Sequence, residues 1–369
     1  MSSANMQKEP LVAIIVLNWN RWEDTARCLE SIYQSAYKNF FVVLIDNGST
    51  DGSAERLKLW AQGEHKDNSF VPVGTAHKKP GKICFITRAA AAGAARAPEG
   101  FCAGQLIVIE NEKNYGFAAG NNIGINYAFT MTDVRYEVLL NNDTTIVPTG
   151  ISALVRCAEA AAQAGSFQAK MLSMDAPDII DALGISLIDL QGPCPVGNGH
   201  PDSGQFNSCR EIFGVCAGAA LYRRTMLEQT GLFDEDFFAY YEDVDLALRA
   251  CLLGWQALCV PEAIVYHGHS ATLGKDSPFK TYLLERNRYY YIVKNVPRDI
   301  LWLFIKGRPN AFLRNLVHLV RAGFFQQVYA YVRGNLRGLA GVPVMLLKRR
   351  KFRSCEQLHD SELRKWLSR

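Results

Sequence analysis

No C-x-x-C pair occurs in this chain, although ten cysteines are spread along it from Cys28 to Cys355. Scattered cysteines of this kind do not make a disulfide scaffold. The first ten residues, MSSANMQKEP, also lack the apolar stretch of a secretory signal. The expectation is therefore reduced thiols, mostly in the core of a cytosolic protein. Also missing are an apolar run of the ~18–20 residues needed to span a bilayer and any repeat at solenoid or propeller periods. Excess charge is nearly absent: a net +4 is too mild to indicate nucleic acid as a partner.

What is present is ordinary globular composition, 49% hydrophobic and 21% charged over 369 residues, which excludes disordered, collagen-like and heptad classes. The length allows one large domain with an appendage, or two domains, with a core that needs no disulfide. The charges are unevenly placed. Asp234, Glu235, Asp236, Glu242, Asp243 and Asp245 crowd one stretch, while Lys348-Arg349-Arg350-Lys351 and Arg353 crowd another. One pole is suited to hold a cation and the other to meet an anionic surface.

Leu11 to Leu17 is a continuous apolar run ending at Asn18-Trp19-Asn20, as in a parallel strand buried on both faces. Helical spacing follows from Asp24 to Tyr33, then a second strand, Phe40 to Ile45, ending in Asp46-Asn47-Gly48-Ser49-Thr50-Asp51-Gly52. Strand, helix and strand in this order predict a right-handed βαβ unit and a parallel sheet. Residues 61–104 contain Lys78-Lys79-Pro80-Gly81 and an Ala/Gly tract, and are expected to be a mobile surface insertion. Leu106–Ile109 and Val138–Leu140 predict further strands, then a helix over 152–164, a strand over 213–222, a helix over 242–253 and a strand over 257–266. After about Thr272 the pattern becomes amphipathic helices rich in aromatic and basic residues.

Polar clusters stand where the strands end: Asn18/Asn20, Asp46, Asn141-Asn142-Asp143 and Tyr266-His267. Ligands of open α/β sheets bind outside the carboxyl ends of the strands. Each cluster alone also reads as a turn, but recurrence at successive strand ends points to a site. Asn114 to Asn122 opens a helix after a strand. Its glycines allow close backbone approach, and a helix N-terminus favours anions such as pyrophosphate. The same glycines could serve helix–sheet packing. Glu242-Asp243-x-Asp245 lies at a helix start, where acids also suit the macrodipole, and Asp245 is spaced to pair with Arg249.

These segments in order resemble family 2 glycosyltransferases of the GT-A fold: the strand ending N-W-N, then D-N-G-S-T-D-G-S, E-N-E-K-N-Y-G-F-A-A-G-N-N-I-G, L-L-N-N-D-T, G-L-F-D-E-D-F-F-A-Y-Y-E-D-V-D-L-A-L-R and V-Y-H. The resemblance covers about residues 10–295 and is strongest to the rhamnosyltransferase-like branch. It implies an α/β GT-A catalytic domain over 1–275, with a nucleotide-binding half at 10–150 and an acceptor half at 151–275. A helical, basic and aromatic region follows at 276–369.

The resemblance also implies roles. Asn18, Asn20, Asp46, Asn114, Gly116, Asn121 and Asn142 would bind the nucleotide sugar, with Asp46 accepting the imide N–H of a pyrimidine. Asn141-Asn142-Asp143 stands in place of the family's D-x-D motif, with Asn141 departing from it. Asp143 and His267 would hold Mg2+ or Mn2+, His269 being a nearby competitor for the latter. Asp243 would be the general base of an inverting transfer, with Glu242 its adjacent alternative.

The expected donor is dTDP-L-rhamnose or a UDP-sugar, and the acceptor a saccharide or lipid-linked saccharide of cell-surface polysaccharide synthesis. The expected location is the cytoplasmic face of a membrane. The C-terminal aromatic and basic helices would lie on it, although they could instead pack on the catalytic domain or form a homodimer. Two other classes remain open. A sugar nucleotidyltransferase would normally show a Gly-rich basic loop where Asn18-Trp19-Asn20 stands. A non-catalytic sugar-nucleotide binding module is the other.

Overall fold

The computed structural model describes residues 9–64, 80–94, 101–188, 192–268, 277–354 and 360–367. The first half runs β1 (Leu11–Asn18), α1 (Trp22–Tyr33), β2 (Phe40–Asp46), α2 (Ser53–Gln62), β3 (Ile83–Thr87), α3 (Arg88–Ala92), β4 (Leu106–Glu110), α4 (Gly116–Phe129) and β5 (Val134–Asn141). Next come β6 (Thr144–Ile146), α5 (Gly150–Ala160), β7 (Ala164–Ser173), β8 (Ile180–Ala182), β9 (Ile185–Ile188) and β10 (Gly192–Pro195). They are followed by β11 (Arg210–Ile212), β12 (Ala219–Arg223), α6 (Arg224–Thr230), α7 (Glu242–Leu252) and β13 (Gln256–His267). Four helices complete the chain: α8 (Pro278–Asn295), α9 (Arg298–Arg321), α10 (Phe325–Arg353) and α11 (Asp360–Leu367).

One large sheet has the order β11-β13-β7-β12-β5-β1-β2-β4-β3. The half from β5 to β3 is parallel throughout, and β12 enters antiparallel between β5 and β7. Strand β1 shows why the apolar run folds this way. Val12, Ile14 and Val16 face the layer of α1 and α5, while Ala13 and Ile15 face the layer of α4 and α6. With period-two alternation and both faces covered, every position from 12 to 16 must be apolar. Each large side chain buried there contributes roughly 1.5–3 kcal/mol. The register aligns Asn18 with Asp46, Asp46 with Glu110, and Leu17 with Asn141, so the polar strand ends form one edge.

The structure differs from the expectations in three places. Residues 61–104 are not all ornament: Ile83–Thr87 pairs parallel with β4 and forms the sheet's edge strand, although 65–79 and 95–100 lie outside the described residues. Its apolar run, Ile83 to Ile86, is short and lies between the Lys78-Lys79-Pro80-Gly81 and Ala/Gly tracts, which is why the segment reads as part of a loop. The helix expected over 152–164 ends at Ala160, and Ala164–Ser173, for which no element was expected, forms an internal strand. The stretch 213–222 is a strand only from Ala219, the Phe213–Gly218 segment being irregular and bending toward the site.

The C-terminal helices share a core with α7 through Tyr289–Val293, Phe304, Met345 and Leu363. Helix α10 lies close on α8 because it presents glycine there: a Cβ on Gly338 would stand 2.4 Å from the Tyr289 ring. Buried charges join the same surfaces. Lys294 binds Asp234 and Asp245 at 2.7 and 2.9 Å, Lys348 reaches Asp236 at 2.7 Å and also Asp234, and Arg308 pairs with Glu285. Among the described residues no helix is long and apolar enough to cross a membrane, and no disulfide forms.

Candidate functional site

A cavity of about 520 Å³ opens at the carboxyl edge of the sheet. Asn114, Gly116, Asn142, Asp143, Glu242, Asp243 and His267 line it; Asn18, Asn20, Asp46 and Asn121 do not. Of the tripeptide Asn18-Trp19-Asn20, the residue that lines the cavity is Trp19, between the two asparagines.

The polar residues outside the cavity build its floor. Asn18 is fully buried and donates to Asp46 Oδ1 at 2.7 Å, while Thr25 donates to Asn18 at 2.8 Å and Asn142 donates to Thr25 at 3.0 Å. Asp46 also accepts from the Ser49 hydroxyl at 2.6 Å and the Ser49 N–H at 3.1 Å. It is 3% exposed, and of its roughly four acceptor sites one on Oδ2 is left. Asn20, at φ 55°, accepts the Thr50 N–H at 2.8 Å and so pins the D-N-G-S-T turn. Asn121 is buried in α4 and donates to the Phe117 carbonyl at 2.9 Å.

The turn into α4 is organised by Asn47, which sequence reasoning passed over as a turn former. It donates to Asn114 at 3.0 Å and to the Gly116 carbonyl at 3.1 Å, and it accepts from Asn111 and the Tyr115 N–H. The expectation that this helix start cradles a pyrophosphate meets a difficulty. The Gly116 N–H goes to Asn114 at 2.7 Å and the Ala118 N–H to the Phe238 carbonyl at 3.1 Å. Those donors are already satisfied by the protein. Gly116 itself is required: it has φ 85°, and a Cβ would stand 2.5 Å from the Phe238 carbonyl oxygen.

Asp143 and His267 meet because β6 returns from Asn141-Asn142-Asp143 to pair with the end of β13, His267 opposite Thr144. His267 Nε2 is 3.3 Å from Asp143 Oδ1, and its Nδ1 is 2.8 Å from Asp181 Oδ2. Burial alone would lower the imidazole pKa, but the hydrogen bonds and charges of Asp143 and Asp181 outweigh it and raise it to about 9. This corner of the cavity thus favours positive charge. Asp181 was missed by the sequence reading; its only signal is one acid inside the apolar Ile179–Leu183 stretch. Among the described residues, no group of three or more His, Cys, Asp or Glu side chains could hold a metal by itself. His269 lies outside the described residues.

Glu242 and Asp243 begin α7 and differ in environment. Asp243 is half-buried; burial pushes its carboxyl up to about 6, while backbone N–H groups of Val244, at 2.8 Å, and Ala217 pull it down. Glu242 is buried, its Oε2 has no hydrogen-bond partner, and burial followed by the Asp243 charge raises its pKa well above the carboxylate range. Burial thus disfavours charge on Glu242 more than on Asp243, and the pair favours carrying its negative charge on Asp243. Asp245, by contrast, is buried against Lys294 and Arg249 and faces away into that ion network.

A parallel half-sheet with an antiparallel strand inserted beside it, and acids at the strand ends, defines a GT-A type α/β protein. The chain belongs to glycosyltransferase family 2: the family model described as glycosyl transferase family 2 matches residues 13–98, and that described as glycosyl transferase family group 2 matches 199–347, together more than half of the chain. A crystal structure of GalNAc-T7 with UDP, GalNAc and Mn2+ has the same fold, with a TM-score of 0.55 at 14% identity over 82% of this chain and 51% of that one. An N-acetylglucosaminyl-diphospho-decaprenol L-rhamnosyltransferase of Mycobacterium tuberculosis is 39% identical over 67 residues, 18% of this chain and 22% of the relative. The hexosyltransferase Agl10 of low-salt glycan biosynthesis in Haloferax volcanii is 24% identical over 38% of this chain and 45% of the relative. The chain thus spans less than half the length of either curated relative.

Proposed function

We propose that this protein transfers a sugar from a nucleoside diphosphate donor to an acceptor hydroxyl with inversion at the anomeric carbon. The carrying observation is that one cavity is lined both by the Asp143–His267 pair and by the adjacent acids Glu242 and Asp243 at the start of α7. Asp243 takes the proton of the acceptor hydroxyl as the acceptor oxygen forms its bond to the anomeric carbon. The bond from that carbon to the diphosphate breaks on the far side, and its electron pair leaves with the diphosphate. Glu242 stands beside Asp243 as the acid whose burial disfavours ionisation, its buried Oε2 without a hydrogen-bond partner.

Asp143 and His267 fit a divalent cation, Mg2+ or Mn2+. One carboxylate and one imidazole face each other across 3.3 Å, and the imidazole is oriented by Asp181 through its other nitrogen. A cation there would neutralise charge on the departing diphosphate. With two protein ligands, the remaining coordination would come from phosphate oxygens and water, as Mg2+ in particular tolerates.

L-Rhamnose is the proposed sugar, supported by the branch resemblance and the short match to the rhamnosyltransferase. A lipid-linked saccharide acceptor and peripheral membrane contact are supported by the apolar outer face of α9 and α10. The tetrabasic cluster contributes less than its sequence suggests. Lys348 is held by Asp234 and Asp236, and Arg349 is buried against the Val293 and Val296 carbonyls.

The test is incubation of the full chain with dTDP-rhamnose or a UDP-sugar, Mn2+ and a panel of saccharide acceptors. Release of nucleoside diphosphate together with glycosylated acceptor is expected. Release of pyrophosphate would indicate nucleotidyl transfer instead, and binding without turnover across the panel would indicate a binding module.

A further inference from the structure

Helix α8 turns a polar stripe inward. Asn287, Tyr291, Lys294 and Asn295 stand at i, i+4, i+7 and i+8, one face of a helix, and all four are buried. Buried polar groups persist where they are hydrogen-bonded, so their partners show what the stripe holds. Asn287 Nδ2 points at three carbonyl oxygens, those of Phe237, Ala239 and Tyr240, at 3.0, 2.8 and 2.7 Å. Its Oδ1 accepts from Arg286 Nε at 2.8 Å, and Arg286 Nη2 donates to the Asp236 and Phe237 carbonyls at 3.0 and 2.6 Å. Two turns on, Lys294 and Asn295 donate to the two carboxylate oxygens of Asp245 at 2.9 and 2.8 Å. The Tyr291 ring meets Tyr241 edge-on at 5.3 Å.

The segment so held is strained. Phe238 sits at φ 64°, ψ −64°, and the Ala239 N–H donates to the Phe237 carbonyl at 2.8 Å, a γ-turn of the rare φ-positive kind. Tyr240 and Tyr241 follow at φ 68° and 69°. Three such residues out of four persist only where surrounding structure over-determines them. The same turn lines the cavity from Phe238 through Asp243, and its Phe238 carbonyl accepts the Ala118 N–H of α4. It therefore links the α4 side of the cavity to the acids of α7.

We propose that Asn287 is a positioning residue. It clamps the Phe237–Tyr240 turn and so sets where the Asp243 carboxylate stands relative to the acceptor hydroxyl. Asn287 is not among the residues lining the cavity and acts only through the turn. An amide suits the task because its nitrogen carries two N–H donors and no acceptor, shared here among three carbonyl oxygens of the turn. An aspartate of the same shape would set an oxygen against them. The inference rests on the transfer reaction proposed above.

The test compares the full-length wild type with Asn287→Asp, Asn287→Ala and Arg286→Ala. Arg286 is half-buried and holds the same turn from outside, so its variant stays informative should the asparagine variants fail to fold. Hydrogen exchange of the amides over 238–244 is the first readout, and an acceleration of at least about tenfold is expected, with β1, β2 and β4 unchanged. The kcat is expected to fall ~10²-fold, the loss typical of a misplaced reacting group. The Kd for dTDP or UDP with Mn2+ is expected to change far less than kcat, since Asp143 and His267 stand at β6 and β13, outside the turn. Arg286→Ala should show the same pattern more weakly. Unchanged exchange over 238–244 in the folded variants would overturn the proposal, as would nucleotide affinity falling in step with kcat. If the wild type transfers no sugar, the functional reading fails on its own, and the exchange comparison still decides whether Asn287 holds the turn.

Discussion

In β1, Val12 to Val16 are wholly buried between two helix layers, whereas Trp302, Phe325 and Leu347 on α9 and α10 are 61%, 73% and 68% exposed. Apart from Phe85 and Phe279, every exposed large apolar residue among those described lies between Trp302 and Leu347. The two regions are both well joined inside: the sheet by its apolar layers, the helices by glycine contacts and buried ion pairs with α7 and α8. They differ in their outer faces. The sheet domain has finished its own surface, while the helical region presents an apolar face that protein monomers seldom leave uncovered. Chemistry is expected to reside in the first region and location in the second, and that division can be broken by experiment.

The largest effect should come from the base. Asp243→Asn is expected to lower kcat by ~10²–10⁴-fold while leaving nucleoside diphosphate affinity near wild type. Its effect on stability should have the opposite sign. The folded state raises the Asp243 pKa from 3.8 to about 6, so the native state holds a proton that the unfolded chain releases. Stability is therefore lost as pH rises through that window, and the neutral Asn escapes the loss, raising Tm at pH 7. Glu242→Gln, replacing a protonated acid by a neutral amide, should retain far more activity. Wild-type turnover in Asp243→Asn with a dead Glu242→Gln would transfer the role to Glu242.

Next in size is the residue behind His267. Asp181→Asn should weaken Mn2+-dependent binding of the nucleoside diphosphate by ~10–100-fold, the usual cost of losing an orienting partner. Titration calorimetry in EDTA should show no difference between variant and wild type. Equal affinity with and without metal in the wild type would remove the cation from the mechanism.

Smaller again is the pH dependence of kcat/KM in the wild type. Transfer needs ionised Asp243, so the rate should climb through about 6 and at pH 5 be roughly tenfold below its plateau. A flat profile between pH 5 and 8 would mean that the base titrates elsewhere.

The smallest effects belong to the helical face. Trp302→Ser and Phe325→Ser should each reduce sedimentation with anionic liposomes, leaving Tm and turnover of a water-soluble acceptor unchanged. Arg350→Ala should weaken the same binding by roughly 1 kcal/mol, about fivefold. Truncation near Asn295 would be a poor test, because α8 loses its packing against α10. If the protein stays in the supernatant at low salt as a dimer that Trp302→Ser dissociates, a second copy covers the face and the membrane reading fails.

Sequence alone determined the parallel core. A strand buried on both faces must be apolar at every position, so β1, β2, β4 and β5 were legible; the strand-end candidates Asp143 and His267, and the helix-start acids Glu242 and Asp243, were named from the sequence and line the cavity. It did not reveal β3, a short apolar run inside a segment of low-complexity composition, or β7, whose buried strand carries Ser166, Gln168 and Lys170 among its apolar residues. Tertiary structure alone decided which polar residues face the cavity. Asn18 and Asp46, expected as nucleotide-sugar ligands, lie outside the cavity lining, where their short side chains hydrogen-bond across adjacent parallel strands. Asp181 and Asn287 read as nothing and became partners of the site, because β8 and α8 reach it only after the chain has folded across more than forty residues of sequence. The split between Glu242 and Asp243 was decided the same way. Two adjacent acids look alike as letters, and only the fold buries Glu242 more deeply while giving Asp243 backbone N–H partners that favour its charged form.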